Sequence, residues 1–151
     1  MTMKKAHRIY VDTNVIINYC TGVKNDVDTL NYIFKKKRKE VLFTSSLAII
    51  QTITNLQTKK KTRKAFSKRK TIDALNRIMD KFTILDLRMS YIVESFTCKS
   101  EDIEDNTHYI LSQKKKCDAI LTNNVSDFAP FDTIVKISPK SNLAIVKSIV
   151  D

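Results

Sequence analysis

Arg8-Ile-Tyr-Val-Asp12 is a short run of β-favouring residues that ends in a carboxylate. Four further apolar runs share its length: Val41-Leu-Phe-Thr44, Phe82 to Leu85, Ala119-Ile-Leu-Thr122 and Thr133-Ile-Val-Lys136. Between them lie segments of helical period: Val15 to Tyr19, Val27 to Phe34, Leu47 to Leu56, Thr71 to Lys81, Ser90 to Cys98 and Ile103 to Lys115. A last helix is expected over Ser141 to Val150, capped by Ser141, and the third helix is entered through Ser45 or Ser46. Thr71 is the expected cap of its helix, with Ile72, Leu75, Ile78 and Met79 on one face. Short apolar strands alternating with helices predict an α/β fold, a three-layer α/β/α sandwich around a central parallel sheet of about five strands. Ligands in such sheets lie at the carboxyl ends of the strands, so an acid placed there carries more meaning than one elsewhere.

The chain has 151 residues, of which 42% are hydrophobic. That suits a single domain over residues 1–151 with a real core. No apolar stretch is long enough to span a bilayer, which predicts no membrane partner. Met1 to Arg8 is basic, but Asp12, Asn14 and Asn18 interrupt the apolar segment after it, so the start does not read as a signal peptide. Cys20, Cys98 and Cys117 are odd in number and unpaired in spacing, against a disulfide framework and in favour of a cytoplasmic setting. The one glycine is Gly22, so neither glycine-rich phosphate loop can be present.

The net charge is +11. An excess of this size favours a polyanion, through long-range attraction and counterion release. The charge is also clustered. Lys35 to Lys39 is unbroken, eight of the twelve residues from Lys59 to Lys70 are basic, and Lys114 to Lys116 forms a third patch. Lys35, Lys36, Lys37, Arg38, Lys59, Lys60, Lys61, Arg63 and Lys64 are the expected contacts to the backbone of such a polyanion. Phe66 could stack on a base, although it reads more readily as an anchor for its own helix.

Against this basic background, acids gather at chain-distant points. Asp12 follows the first strand. Asp102 and Asp105 share one face at the start of a predicted helix, with Glu101 and Glu104 beside them. Asp127 follows the fourth strand by a short polar loop. Each has an ordinary explanation as a cap or a turn residue. Convergence in one cleft would instead cost stability through like-charge repulsion, and a hard divalent cation removes that cost. His108, one turn after Asp105, reads as a partly exposed helix residue.

Ile9-Tyr-Val-Asp-Thr-Asn-Val15 resembles the opening of PIN domains. Asp102-Ile-Glu-Asp105, followed by Cys117-Asp-Ala-Ile-Leu-Thr-Asn-Asn-Val-Ser-Asp-Phe128, resembles the second half of that family, and Ile137-Ser-Pro139 its end. The resemblance spans about residues 7 to 150. It implies a Mg²⁺- or Mn²⁺-dependent ribonuclease, the polyanion then being RNA, many members being VapC-type toxins held inactive by a small antitoxin. It further implies that Asp12, Asp105 and Asp127 hold the metal and that Asp102 joins them in catalysis. Asn14 would orient Asp12 or a water, Asn124 would complete the pocket, and Thr122 would hold the loop or a phosphate. An antitoxin helix would pack on the region of residues 20 to 65, and a homodimer is common in the family. One departure stands out: Gln51 occupies the place of an expected glutamate in Ser45-Ser-Leu-Ala-Ile-Ile-Gln51. It motivates a rival reading, a catalytically weakened PIN-like RNA-binding module. A receiver-type domain, with Asp86 and Lys136 near the positions it would need, is a third and more distant reading.

Overall fold

The computed structural model describes Ala6 and residues 8–36, 41–132, 134–140 and 143–151. Its sheet has five strands: β1 (Ile9–Val11), β2 (Leu42–Ser45), β3 (Thr83–Leu85), β4 (Ala119–Leu121) and β5 (Val135–Ile137). Their order is β3-β2-β1-β4-β5, and every pairing is parallel. This order excludes the receiver-type reading, whose sheet runs 2-1-3-4-5. Asp86 is exposed, and Lys136 donates to the Phe131 carbonyl rather than facing it.

Every residue of β1, β2 and β4 is buried. Strands with no polar face need cover on both sides, and alternation divides the side chains between two cores. Ile9, Val11, Ala119 and Leu121 point to one core. It is closed by Val15 and Ile16 of α1 (Thr13–Thr21), Leu30 and Ile33 of α2 (Lys24–Lys36) and Val146 of α7 (Leu143–Val150). Tyr10, Phe43 and Ile120 point the other way. There they meet Tyr91 of α5 (Met89–Ser95), Leu111 of α6 (Ile103–Lys114), and Phe128 and Phe131. The result is the three-layer α/β/α sandwich.

Two helices stand at the β2 end. Helix α3 (Ser46–Leu56) is capped by the Ser45 hydroxyl, which accepts from the Ala48 amide. Helix α4 (Lys68–Asn76) differs from expectation. It starts four residues earlier than a Thr71 cap would allow, because the Ser67 hydroxyl accepts the Lys70 amide. It also stops before Met79, where a separate 3-10 turn takes over. The expected apolar face is therefore split. Leu75 and Ile78 are buried, whereas Ile72 is 45% exposed and Met79 37%. The basic residues Lys68 to Lys70 lie within the helix and point to solvent. The expected contacts Lys37 and Arg38, the strand residue Thr133 and the cap Ser141 lie outside the described residues.

Gly22 ends α1 with φ of 81°, the left-handed conformation, and its N–H returns to the carbonyls of Asn18 and Tyr19. A Cβ there would meet nothing within 4 Å, so the demand on this position is one of backbone conformation alone. Gly22→Ala is expected to destabilise the protein by about 1 kcal/mol, with Gly22→Asn costing less. Urea unfolding of the three proteins checks this; equal midpoints would remove the conformational argument.

Candidate metal centre at the carboxyl edge of the sheet

The chain leaves β1 toward β2 on one side and returns to β4 on the other, so the order reverses between β1 and β4. A crevice opens at such a switch point, outside the carboxyl ends of the strands. Asp12 sits there, directly after β1, and is 5% exposed. Its Oδ1 accepts from the Thr13 amide as the cap of α1 (2.8 Å). Its Oδ2 accepts from Asn14 Nδ2 (2.9 Å) and from the Thr122 hydroxyl after β4 (2.8 Å). The Thr122 hydroxyl accepts in turn from the Asn124 amide (3.0 Å), and Asn14 Oδ1 accepts from the Asn123 amide (3.0 Å). Asn123 Nδ2 then donates to buried Asp26 of α2 (2.7 Å). Both strand ends and the turn after β4 are thereby fixed around one carboxylate. The Asn124 side chain itself is exposed at the start of the 3-10 turn Val125–Phe128, which carries Asp127.

Helix α6 brings the other acids. Asp102 caps it, Oδ1 accepting from the Asp105 amide (3.0 Å), which is the expected behaviour of a carboxylate at a positive helix end. Asp105 is half-buried, and its carboxyl is pushed up to about 7. Burial is the largest cause, followed by the negative charges of Asp102, Asp127, Asp12 and Glu104. These acids, from three separate stretches of chain, thus share one electrostatic neighbourhood, and among the described residues no Lys or Arg forms an ion pair with any of them. As placed, no three His, Cys, Asp or Glu side chains among the described residues are close enough to enclose an ion. The chemistry of the set still fits a hard divalent cation: oxygen donors of one sign, crowded, with the central acid driven toward its neutral form.

Beside the acids runs a hydrogen-bonded chain, buried from Ser45 to His108 and exposed at Glu104, that the sequence did not reveal. Gln51 Nε2 donates to Glu104 (2.8 Å), and since an ionised carboxylate only accepts, this sets the orientation of the amide. Gln51 Oε1 therefore faces the Thr13 hydroxyl (2.6 Å) and His108 Nε2 (2.9 Å), both of which donate to it. His108 Nε2 carries the proton, leaving Nδ1 to accept from the Tyr10 hydroxyl (2.7 Å), which takes a hydrogen bond from Ser45 (2.7 Å). Contrary to the expectation of partial exposure, His108 is 2% exposed. Burial lowers its pKa, against the opposing charges of Asp12, Glu104 and Asp102, and the ring is neutral. A sequence signal existed, since His108 falls one turn from both Glu104 and Asp105 on the same helix.

The basic residues are not gathered at this edge: Lys35 and Lys36 end α2, whose opposite end, at Asp26, is the one that reaches Asn123. Lys35, Lys36, Lys59, Lys60, Lys61 and Lys64 are exposed. Arg63 is half-buried, and its guanidinium is occupied at the end of α3. It donates to the carbonyls of Leu56 (3.1 Å), Asn55 (3.1 Å) and Lys64 (3.3 Å) and to Asn55 Oδ1 (2.9 Å). Phe66 is 9% exposed, packs on Leu56 and Ala74, and lies beneath Arg63 and Lys70 at 5.2 and 4.1 Å. It anchors the loop.

Residues 8–126 match the family model described as PIN domain. None of the curated protein sequences matches the chain. Among solved structures, the chain is similar to VapBC2 from Rickettsia felis bound to a DNA fragment from its promoter, with 16% identity, 86% of this chain and 98% of that chain covered, and a TM-score of 0.62. It is similar to VapC20 of Mycobacterium tuberculosis, a Sarcin-Ricin loop cleaving toxin, at 17% identity, 74% and 86% coverage and a TM-score of 0.56. DNA-bound VapBC from Salmonella typhimurium gives 12%, 87% and 98%, and 0.62.

The raised Asp105 carboxyl has a stability consequence. Its unfolded value is near 3.8 and its folded value about 7, so between them the folded state binds more protons. Its contribution to stability is complete below about pH 4 and is lost as pH rises to about 7. In EDTA, Asp105→Asn is expected to flatten this part of the urea-unfolding profile. Parallel profiles for variant and wild type would refute the assignment.

Proposed function

Since the chain belongs to the PIN domain family, we propose that it is a metal-dependent endoribonuclease and the toxin of a toxin–antitoxin pair. The observation that carries this reading is the crowding of Asp12, Asp102, Glu104 and Asp127 around a half-buried Asp105 at the switch point of the sheet. Asp12, Asp105 and Asp127 are the residues to hold Mg²⁺ or Mn²⁺. When bound, such an ion neutralises charge on the scissile phosphate and makes a water more acidic.

The chain's own residues do the rest. Thr13, Asn14 and Thr122 aim Asp12. Asp102 takes the proton of the attacking water, in-line attack breaks the bond to the 3′ oxygen, and a proton from solvent water completes the 3′-hydroxyl beside the 5′-phosphate. The exposed lysines bind the RNA backbone without reading sequence. The missing glutamate at Gln51 is offset from across the cleft, where Glu104 places its carboxylate on the Gln51 amide. A toxin role is supported by the likeness to VapC20, itself a loop-cleaving toxin. It brings with it a small antitoxin protein, and a homodimer belongs to the same proposal. No helix among the described residues is long and apolar enough to cross a membrane.

One observation favours a second reading. Gln51 is neutral and fully engaged, and the acids as placed enclose no ion. A PIN-like module that binds RNA without cutting it would have these features.

Labelled single-stranded RNA and structured tRNA, incubated with Mn²⁺, Mg²⁺ or EDTA, separate the two. The nuclease reading expects cleavage with either metal, none in EDTA, and a loss of about a hundredfold or more in Asp105→Asn. Salt-sensitive RNA retention with no cleavage under any metal would transfer the conclusion to the binding module.

A further inference from the structure

Helices α1 and α3 lie side by side, and a groove runs between them away from the acids. Its first part, about 520 Å³, begins at Thr13, Gln51 and Glu104 and extends past Ile17, Ile50 and Thr54. A second part, about 500 Å³, ends at Thr62 and Arg63. The two share Ile17, Asn55 and Lys60, so they form one continuous track.

The lining is selective. Asn14, Asn18 and Thr21 on α1 recur at helical spacing, as do Gln51, Thr54, Asn55 and Thr58 along and just beyond α3. In a chain of net charge +11, these facing stripes are neutral amides and hydroxyls. Apolar Ile17 and 55%-exposed Ile50 stand among them, with Glu104 at one end and Lys60 where the two parts meet. Gln51 and Asn55, four residues apart, are about 6 Å apart along the helix axis.

We propose that this groove carries a single-stranded stretch of the RNA substrate adjoining the scissile phosphate, a reading that rests on the nuclease function above. A strand that leaves the acidic centre needs acceptors and donors for its unpaired base edges and 2′-hydroxyls, apolar surface for base faces, and a cation for the next phosphate. The groove supplies all three, with Lys60 where its two parts meet. The Arg63 clamp on the end of α3 holds the loop that carries Lys60 in place. Duplex RNA hides its base edges and gains nothing from such a lining, so the groove selects loops and unpaired segments.

The test measures fluorescence anisotropy of a labelled single-stranded RNA on Asp105→Asn protein in Mg²⁺. Ile50→Glu and Thr54→Glu, both on exposed positions of α3, are each expected to weaken binding at least tenfold with unchanged thermal unfolding. The same charge at Val93→Glu, on the exposed face of α5, should change it less than twofold. Lys60→Ala should lower the slope of log affinity against log salt by about 1. Binding within twofold of the parent in both groove variants, or a larger loss in Val93→Glu, overturns the groove assignment, the latter by moving the strand to α5. Cleavage assays on the same substitutions in the otherwise wild-type chain keep the two proposals apart. A wild type that never cleaves, with RNA still lost in the groove variants, removes the nuclease and leaves the groove. Unimpaired cleavage in the groove variants removes the groove and leaves the nuclease.

Discussion

The site depends on a run of hydrogen bonds through a neutral, buried imidazole. Ser45, Tyr10, His108, Gln51 and Glu104 are joined in sequence, with Thr13 as a branch, and they come from β1, β2, α1, α3 and α6. Every hydroxyl, ring nitrogen and amide in this run has a complementary partner, which is the condition for keeping polar groups in an apolar interior. The direction of each bond follows from the one at its end, where the Gln51 amide donates to Glu104. Reversing one donor would oblige the others to reverse, so α3 and α6 hold a single relative register at the lip of the cleft. His108 serves this purpose only while uncharged, and burial keeps it so.

Asp12 does the equivalent work across the sheet. Its bond to Thr122 joins the ends of β1 and β4, the two strands between which the topology reverses. A three-residue strand contributes few ladder bonds of its own, so the side-chain network at its end matters more than it would in a long strand. The same carboxylate caps α1. The ordinary reading of Asp12 as a helix cap and the functional reading are thus compatible: one oxygen serves the helix, and the other lies in the network that faces the crevice. Asp102 repeats this arrangement at α6.

The legible parts of the fold were those written in local period and composition. All five strands arise from short apolar runs, and the parallel sheet from their alternation with helices. The neighbourhood of Asp12, Asp102, Asp105 and Asp127 was legible because strand ends in such a sheet must share one edge. The features that escaped were set by partners distant in the chain. His108 reads as a surface residue until Tyr10 and Gln51 are seen on its two nitrogens. Arg63 reads as one more cation in a basic run, although the unsatisfied carbonyls at the end of α3 claim its guanidinium. The α4 boundary moved because Ser67, not Thr71, offered the capping oxygen, and Lys68 to Lys70 tolerate a first helical turn that points to water. Gln51 appeared as a loss of charge; only the fold places Glu104 opposite it.

That placement limits how this sequence can drift. A carboxylate at position 51 would still accept from the Thr13 hydroxyl and His108, but it would meet the Glu104 carboxylate across a gap now closed by an N–H donor. Positions 51 and 104 therefore act as a pair, an amide N–H on one helix meeting a carboxylate on the other. A change at either position alone breaks the contact through which this pair joins α3 to α6 at the lip of the cleft.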